Sequence, residues 1–201
     1  HGLIPDFIKL IHGQSRINIK MKHVEETEIN ASGPTIEKED LEKLYVKLEH
    51  LTEGDILILS GSMASGVDHN FYADVMKYLE GRKIRIVVDA AGSILKTVLP
   101  YHPYLIKPNQ HELSEIFGQK ILENQVEEYA CKLVTMGAQN VLVSLGENGA
   151  ILVNKQVYRS IAPRGEILNS VGAGDSMIAA FLASKLNGEN DQIALETSVA
   201  M

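Results

Sequence analysis

Short apolar runs alternate with helical repeats along most of this 201-residue chain. Ile17, Ile19 and Met21 interleave with Arg16, Asn18, Lys20 and Lys22, the period of a half-exposed strand, and residues 26–30 are placed to pair with it. TIEKEDLEKLYVKLEHL predicts an amphipathic helix with Leu41, Leu44, Tyr45 and Leu48 inward. DILILSG then predicts a strand, VDHNFYADVMKYLEGR a helix, IRIVVDA a strand, GSILKTVLP a short helix, YLIKPN a strand and QHELSEIF a helix. ENQVEEYACKLVTMG predicts another helix and NVLVSLG another strand, and GAILVNKQVYRSI reads as a hairpin turning at Asn154-Lys155. Continuous apolar strands alternating with helices predict an α/β fold, with a mostly parallel central sheet covered on both faces and right-handed crossovers.

The most apolar helical pattern follows ILNSVGAGDSM. Met177, Ile178, Phe181, Leu182 and Leu186, with Ala179, Ala180 and Ala183 between them, leave Ser184 and Lys185 as the wet face. Such a helix belongs in the middle of a domain, so its amino end, Gly172-Ala173-Gly174-Asp175, is expected to open into an enclosed place.

Composition narrows the class of protein. Hydrophobic residues make up 45% and charged residues 22%, which is ordinary for a globular chain. The formal charge of −7 provides no basic footprint for nucleic acid or an anionic membrane, so any phosphate must be handled by a few placed cations. Cys131 is the single cysteine, which excludes an internal disulfide framework and suits a reducing cytoplasm. No apolar run approaches the ~18 residues of a membrane span. The histidines show no metal-ligand spacing; His102 and His111 read as surface or capping groups, and Cys131 as a core thiol. Residues 1–201 read as one domain, and the opening at His1 and the end inside the helical pattern DQIALETSVAM lead to the expectation of a longer parent protein.

In open α/β sheets ligands bind beyond the carboxyl ends of the strands. Those ends carry Gly61-Ser62, Asp89, Lys107-Pro108-Asn109 and Gly146-Glu147-Asn148-Gly149, with the Gly172 turn beside them. Two familiar phosphate motifs fail. GSMASG, residues 61–66, has P-loop glycine spacing, but Val67-Asp68 stand where Lys-Ser/Thr is required. GAGDSM starts like a dinucleotide fingerprint, but Met177 replaces the third glycine and Asp175 would repel a pyrophosphate. A different device remains: Gly172, Ala173 and Gly174 can present backbone N–H groups at a helix start, with Asp175 inside the cradle to take an acceptor's proton. The residues alone equally allow glycines for close helix packing and a first-turn carboxylate.

NSVGAGDSMIAAF resembles the carboxy-terminal signature of the ribokinase-like (PfkB) carbohydrate kinases, LIKPNQHE their Asn-x-x-Glu element and VLVSLGENGA their nucleotide-loop segment. SRINIKMK, ETEINASGP and LILSGSMASGV resemble the sugar-phosphate branch, and the motifs run in order from about residue 10 to residue 200. The resemblance implies a ribokinase-like fold with part of a small β lid near residues 16–30. It also implies ATP and Mg²⁺ as cofactors, a small-molecule sugar phosphate as partner, and a homodimer paired through such a lid. The implied reaction phosphorylates the free hydroxymethyl of a ketohexose phosphate: fructose 1-phosphate first, with tagatose 6-phosphate or fructose 6-phosphate as alternatives. A non-catalytic nucleotide- or sugar-binding regulator on the same fold is a reading of another class.

By the same resemblance, Asp175 is the catalytic base and a substrate contact, and Gly172, Ala173 and Gly174 form the anion hole. Asn109 and Glu112 organise Mg²⁺ and its waters, although an Asn with Glu three residues on is also a capping box. Lys107 contacts phosphate, or is a strand-end lysine in solvent. Ser144 and Gly146 belong to the nucleotide loop, though Gly146 and Gly149 also suit a plain turn. Arg16 and Ser62 contact the sugar's phosphate, where a guanidinium suits bidentate binding; a lone strand arginine is otherwise solvated. One departure stands out: the family's Asp that grips sugar hydroxyls and its Gly-Gly-x-x-Asn stretch have no counterpart in these residues.

Overall fold

The computed structural model describes residues 2–22, 26–30, 33–163, 165 and 172–201. The first ribbon pairs as expected: β1 (Asn18–Lys22) runs antiparallel to β2 (Glu26–Asn30), with Ile19 opposite Ile29, and the two form a sheet of their own. Helix α1 (Lys38–Leu48) follows, with Leu41, Leu44 and Tyr45 half-buried and Leu48 buried.

The main sheet has six strands in sequence order, β3 (Ile56–Ser60), β4 (Arg85–Asp89), β5 (Leu105–Ile106), β6 (Val141–Ser144), β7 (Ala150–Val153) and β8 (Val157–Ser160). The first four are parallel, and β7 and β8 are antiparallel additions. The hairpin expected at Asn154-Lys155 turns there: Asn154 N–H donates to Gln156 O at 3.0 Å, and the Asn154 side chain accepts from Gln156 N. Two elements are shorter than their sequence patterns. Strand β5 ends before Pro108, which has no N–H for the ladder. Helix α2 (Phe71–Tyr78) begins after Val67-Asp68, because the Asp68 carboxylate accepts from Asn70 N at 2.8 Å and turns the chain first.

Period-2 alternation splits the core into two layers. Ile86, Val88, Ile106, Val141, Val143, Ile151 and Val153 face one side. They pack there against α2, α3 (Ser93–Val98), α4 (Gln110–Phe117) and α5 (Val126–Thr135). Val87, Leu105, Leu142, Ala150 and Leu152 face the other, against Ile178, Phe181 and Leu182 of α6 (Ala173–Leu186) and Ala194 and Leu195 of α7 (Asp191–Val199). Helices therefore cover both faces, as the strand pattern predicts. Cys131 packs at the edge of the first layer, half-buried.

Helix α6 departs from expectation. It is not buried all round: Ala179, Ala183 and Leu186 form an outward stripe, with Leu186 63% exposed. Ser184, expected on the wet face, is 6% exposed, three residues after Phe181 on the sheet-facing side. Small side chains decide this, since Ala on the outer face and Ser on the inner one both fit either environment and hydropathy does not rank them.

Candidate active site

The carboxyl ends of β3 to β6 form one rim, and the structure joins the predicted site residues there through three local contacts. The first begins at β5. Val88 pairs with Ile106 across β4 and β5, so Asp89 and Lys107 are the next pair along, just past the ladder. Lys107 Nζ lies 3.4 Å from Asp89 Oδ1, and Lys107 is 8% exposed. The same ammonium lies against the start of α6: a Cβ added to Gly174 would meet Nζ at 2.8 Å and Cε at 3.2 Å. The lysine end therefore packs closely against the helix at Gly174, and the solvent reading of Lys107 is excluded.

The second contact holds the nucleotide-side residues. Asn109 caps α4: its side chain accepts from Glu112 N at 2.8 Å while Glu112 Oε2 accepts from Asn109 N at 2.8 Å. The capping box is real, and it leaves Asn109 Nδ2 and Glu112 Oε1 uncommitted by it, on half-buried side chains. Asn109 also bridges to Ser144, whose N–H donates to Pro108 O at 3.2 Å, tying the end of β6 to the segment after β5. Gly146 is exposed and opens a single 3₁₀ turn, Gly146–Asn148, closed by Leu145 N–H to Gly149 O at 2.8 Å. Turn and nucleotide-loop readings therefore describe the same residues.

The third contact is at the β3 end. Arg16 Nη1 donates to Ser62 Oγ at 2.9 Å and its Nε to Asn18 Oδ1 at 2.9 Å, both in the open. Arg16 and Ser62, far apart in sequence, are thus brought together. The glycine spacing that mimics a P-loop has a packing cause at Gly66, where a Cβ would meet Ile36 O at 2.5 Å. Ile36 N–H donates to Ser65 O at 2.8 Å on the same stretch.

At the start of α6, Gly172 is the N-cap at φ +79°, with open space where a Cβ would stand. Asp175 lies in the first turn and is exposed, so the enclosed helix start expected from sequence is not what the chain forms. Met177, Ile178, Phe181 and Leu182 pack in the core beneath the sheet, while at Gly174 the helix meets the end of Lys107. No hydrogen bond or ion pair among the described residues joins Asp175 to Arg16 or Ser62.

Asp89 is a site residue that the sequence distinguishes only as a strand end. The available signal was its strand-end position one strand away from Lys107. The Tyr72 phenol lies near it, donating to Ser60 O at 2.7 Å, and its pKa is raised by burial first and by the Asp89 charge second. His102 Nδ1 contacts Gly137 O at 3.1 Å and His111 is exposed beside Glu115, consistent with capping and surface roles.

The arrangement can hold an anion. The first-turn N–H groups and positive dipole end of α6 stand beside a buried ammonium at Gly174, and Gly172 leaves open space next to them. Among the described residues no group of three His, Cys, Asp or Glu side chains could hold a metal ion by itself. Mg²⁺ needs only one or two protein oxygens besides phosphate and water, and Glu112 Oε1 is an oxygen the capping box leaves uncommitted.

A sequence model of the pfkB family carbohydrate kinases matches residues 1–201. The chain is 43% identical over 190 residues to 1-phosphofructokinase from Bacillus subtilis (strain 168), covering 92% of this chain and 61% of that protein. It is 33% identical over 186 residues to D-tagatose-1-phosphate kinase from Bacillus licheniformis, covering 91% and 61%. The crystal structure of phosphofructokinase-2 from Escherichia coli in complex with substrates and products superposes with a TM-score of 0.82 at 28% identity, covering 88% of this chain and 59% of that one. The chain thus spans about three fifths of the length of these relatives.

Proposed function

Because the chain belongs to the pfkB family of carbohydrate kinases, we propose that the full protein transfers the terminal phosphoryl group of ATP to the free hydroxymethyl of a ketohexose phosphate, with fructose 1-phosphate as the substrate. The observation that carries this reading is the Lys107–Gly174 contact, which sets a buried cation against the same helix turn that bears Asp175. Both curated relatives carry their substrate's phosphate at carbon 1 by name, which favours a 1-phosphate with the carbon-6 hydroxyl as acceptor. D-tagatose 1-phosphate is the second reading on the same ground.

In this mechanism the chain's residues orient and neutralise. Arg16 and Ser62, already hydrogen-bonded to each other, grip the phosphate the sugar brings. Asp175 accepts the proton of the acceptor hydroxyl from the first turn of α6. With a loose transition state the proton moves late, so what matters most is how the carboxylate is oriented. Lys107 and the N–H groups of Gly172, Ala173 and Gly174 stabilise charge on the group in transit. Ser144 and Gly146 allow close backbone approach of a nucleotide, Glu112 Oε1 would hold Mg²⁺ through water, and Asn109 Nδ2 would donate to its waters. Mg²⁺, when bound, would supply charge neutralisation at the phosphates.

We also propose pairing of two copies through the β1–β2 ribbon, which stands apart from the main sheet with Ile17 62% and Ile19 50% exposed. None of the described helices is long and apolar enough to cross a membrane.

The test is turnover of the full-length protein with MgATP on fructose 1-phosphate, tagatose 1-phosphate, fructose 6-phosphate and tagatose 6-phosphate. The highest kcat/KM is expected on fructose 1-phosphate. Preference for a 6-phosphate would overturn the substrate assignment, and tight binding without turnover would make the protein a regulator.

A further inference from the structure

Lys107 is the one charged residue among the described residues that is buried, and its surroundings are unusual for a cation. The amino end of a helix is its positive pole, so an ammonium pressed against Gly174 meets like with like. Burial adds the loss of hydration. Left to these forces, the flexible lysine stem would swing the charge out to water. What opposes them is the Asp89 carboxylate, 3.4 Å away and the only ion-pair partner of Lys107 among the described residues. Asp89 is itself anchored: Ser60 pairs with it across the β3–β4 ladder, and its carbonyl accepts from Gly61 N at 3.0 Å.

We infer that Asp89 is a positioning residue, whose charge holds the Lys107 ammonium at the start of α6 before any phosphate arrives. The inference rests on the kinase reading of this rim. Asp89 substitutes for the anion that the site is built to receive, so that Lys107 need not be recruited from solvent when a phosphate group enters. Its carboxylate need touch neither nucleotide nor sugar.

A double-mutant cycle on the full-length protein tests this with Asp89→Asn, Lys107→Met and the pair together. Two readouts are taken: kcat with MgATP and fructose 1-phosphate, and affinity for a non-hydrolysable MgATP analogue without sugar. Asp89→Asn alone should lower kcat by about 10-fold or more, since an ammonium displaced by an ångström loses its alignment. In the Lys107→Met background the same change should alter kcat and analogue affinity by less than about twofold. A purely architectural Asp89 would cost as much in both backgrounds, and that equality would overturn the inference; so would wild-type kinetics in Lys107→Met. If Asp89→Asn does not fold, the double variant, which removes both charges, is compared with Lys107→Met. Equal kinetics support the inference and a further loss contradicts it. Coupling in analogue affinity without turnover on any ketohexose phosphate would leave the inference standing and defeat the proposed function. Turnover without coupling would do the reverse.

Discussion

Replacing Gly174 with alanine separates what α6 contributes to stability from what it contributes to chemistry. Gly174 is the second residue of the helix and its φ is not positive, so alanine fits the backbone without strain. In a helix interior Ala is favoured over Gly by about 1 kcal/mol, less in a first turn. Against this, the new methyl carbon would stand 2.8 Å from Lys107 Nζ and must reach the 3.4 Å of ordinary contact, a retreat of about 0.6 Å for the ammonium. The lysine end is flexible, so the two effects should nearly cancel, leaving Tm within about 4 °C of wild type. Catalysis should not be spared. A displacement of this size at a phosphate-aligning cation predicts a kcat loss of about 10-fold, equivalent to ~1.4 kcal/mol in the barrier. Thermal melts and initial rates on the full-length protein, with MgATP varied at saturating sugar phosphate, measure both. Unchanged kinetics would show that Lys107 does no work where it stands. A Tm fall of more than about 8 °C would show the loss to be one of folding.

Arg16→Ala should raise KM for the sugar phosphate by about 10-fold, for one charged hydrogen bond, with KM for ATP unchanged; steady-state kinetics with each substrate varied check it. Glu112→Gln keeps a capping-box acceptor, so stability should hold within about 0.5 kcal/mol while the Mg²⁺ concentration for half-maximal rate rises. Equal weakening of Mg²⁺ and sugar dependence would reduce Glu112 to a cap. Asp191 tests the far end of α6. Burial raises its pKa, but hydrogen bonds from Lys185 and Asn154 and the Lys185 charge outweigh this and leave it lowered. A depressed carboxylate stabilises above its unfolded pKa, about 3.9, and that contribution vanishes as pH falls through the folded value. Asp191→Asn should therefore cost about 1 kcal/mol at pH 7, and progressively less as the pH falls below the ordinary carboxylate range, read by urea unfolding across pH.

Strand and helix order were legible in the sequence because periodicity reports burial directly: the faces of Val87 and Val88 and the inward side of α1 follow from it. Asn109-x-x-Glu112 was legible as a pattern but not as a purpose, since one geometry serves both cap and nucleotide site. The exposure of Asp175 and the inverted roles of Ser184 and Leu186 were not legible. Residues of small volume tolerate either side of a helix, and what covers a helix start is set by packing partners distant in sequence. Asp89 shows the same limit, because a pair formed across neighbouring strands appears only when their register is known.

The central claim is that the first turn of α6 carries the base of a phosphoryl transfer, and Asp175→Asn is its most direct test. The exchange keeps shape and removes charge on an exposed side chain, so folding and ATP affinity should survive. Turnover of the full-length protein on MgATP and fructose 1-phosphate should fall by ~10²–10⁴, the range for a positioned general base. A variant retaining more than about a tenth of wild-type turnover, under ~1.4 kcal/mol in barrier, would contradict the account.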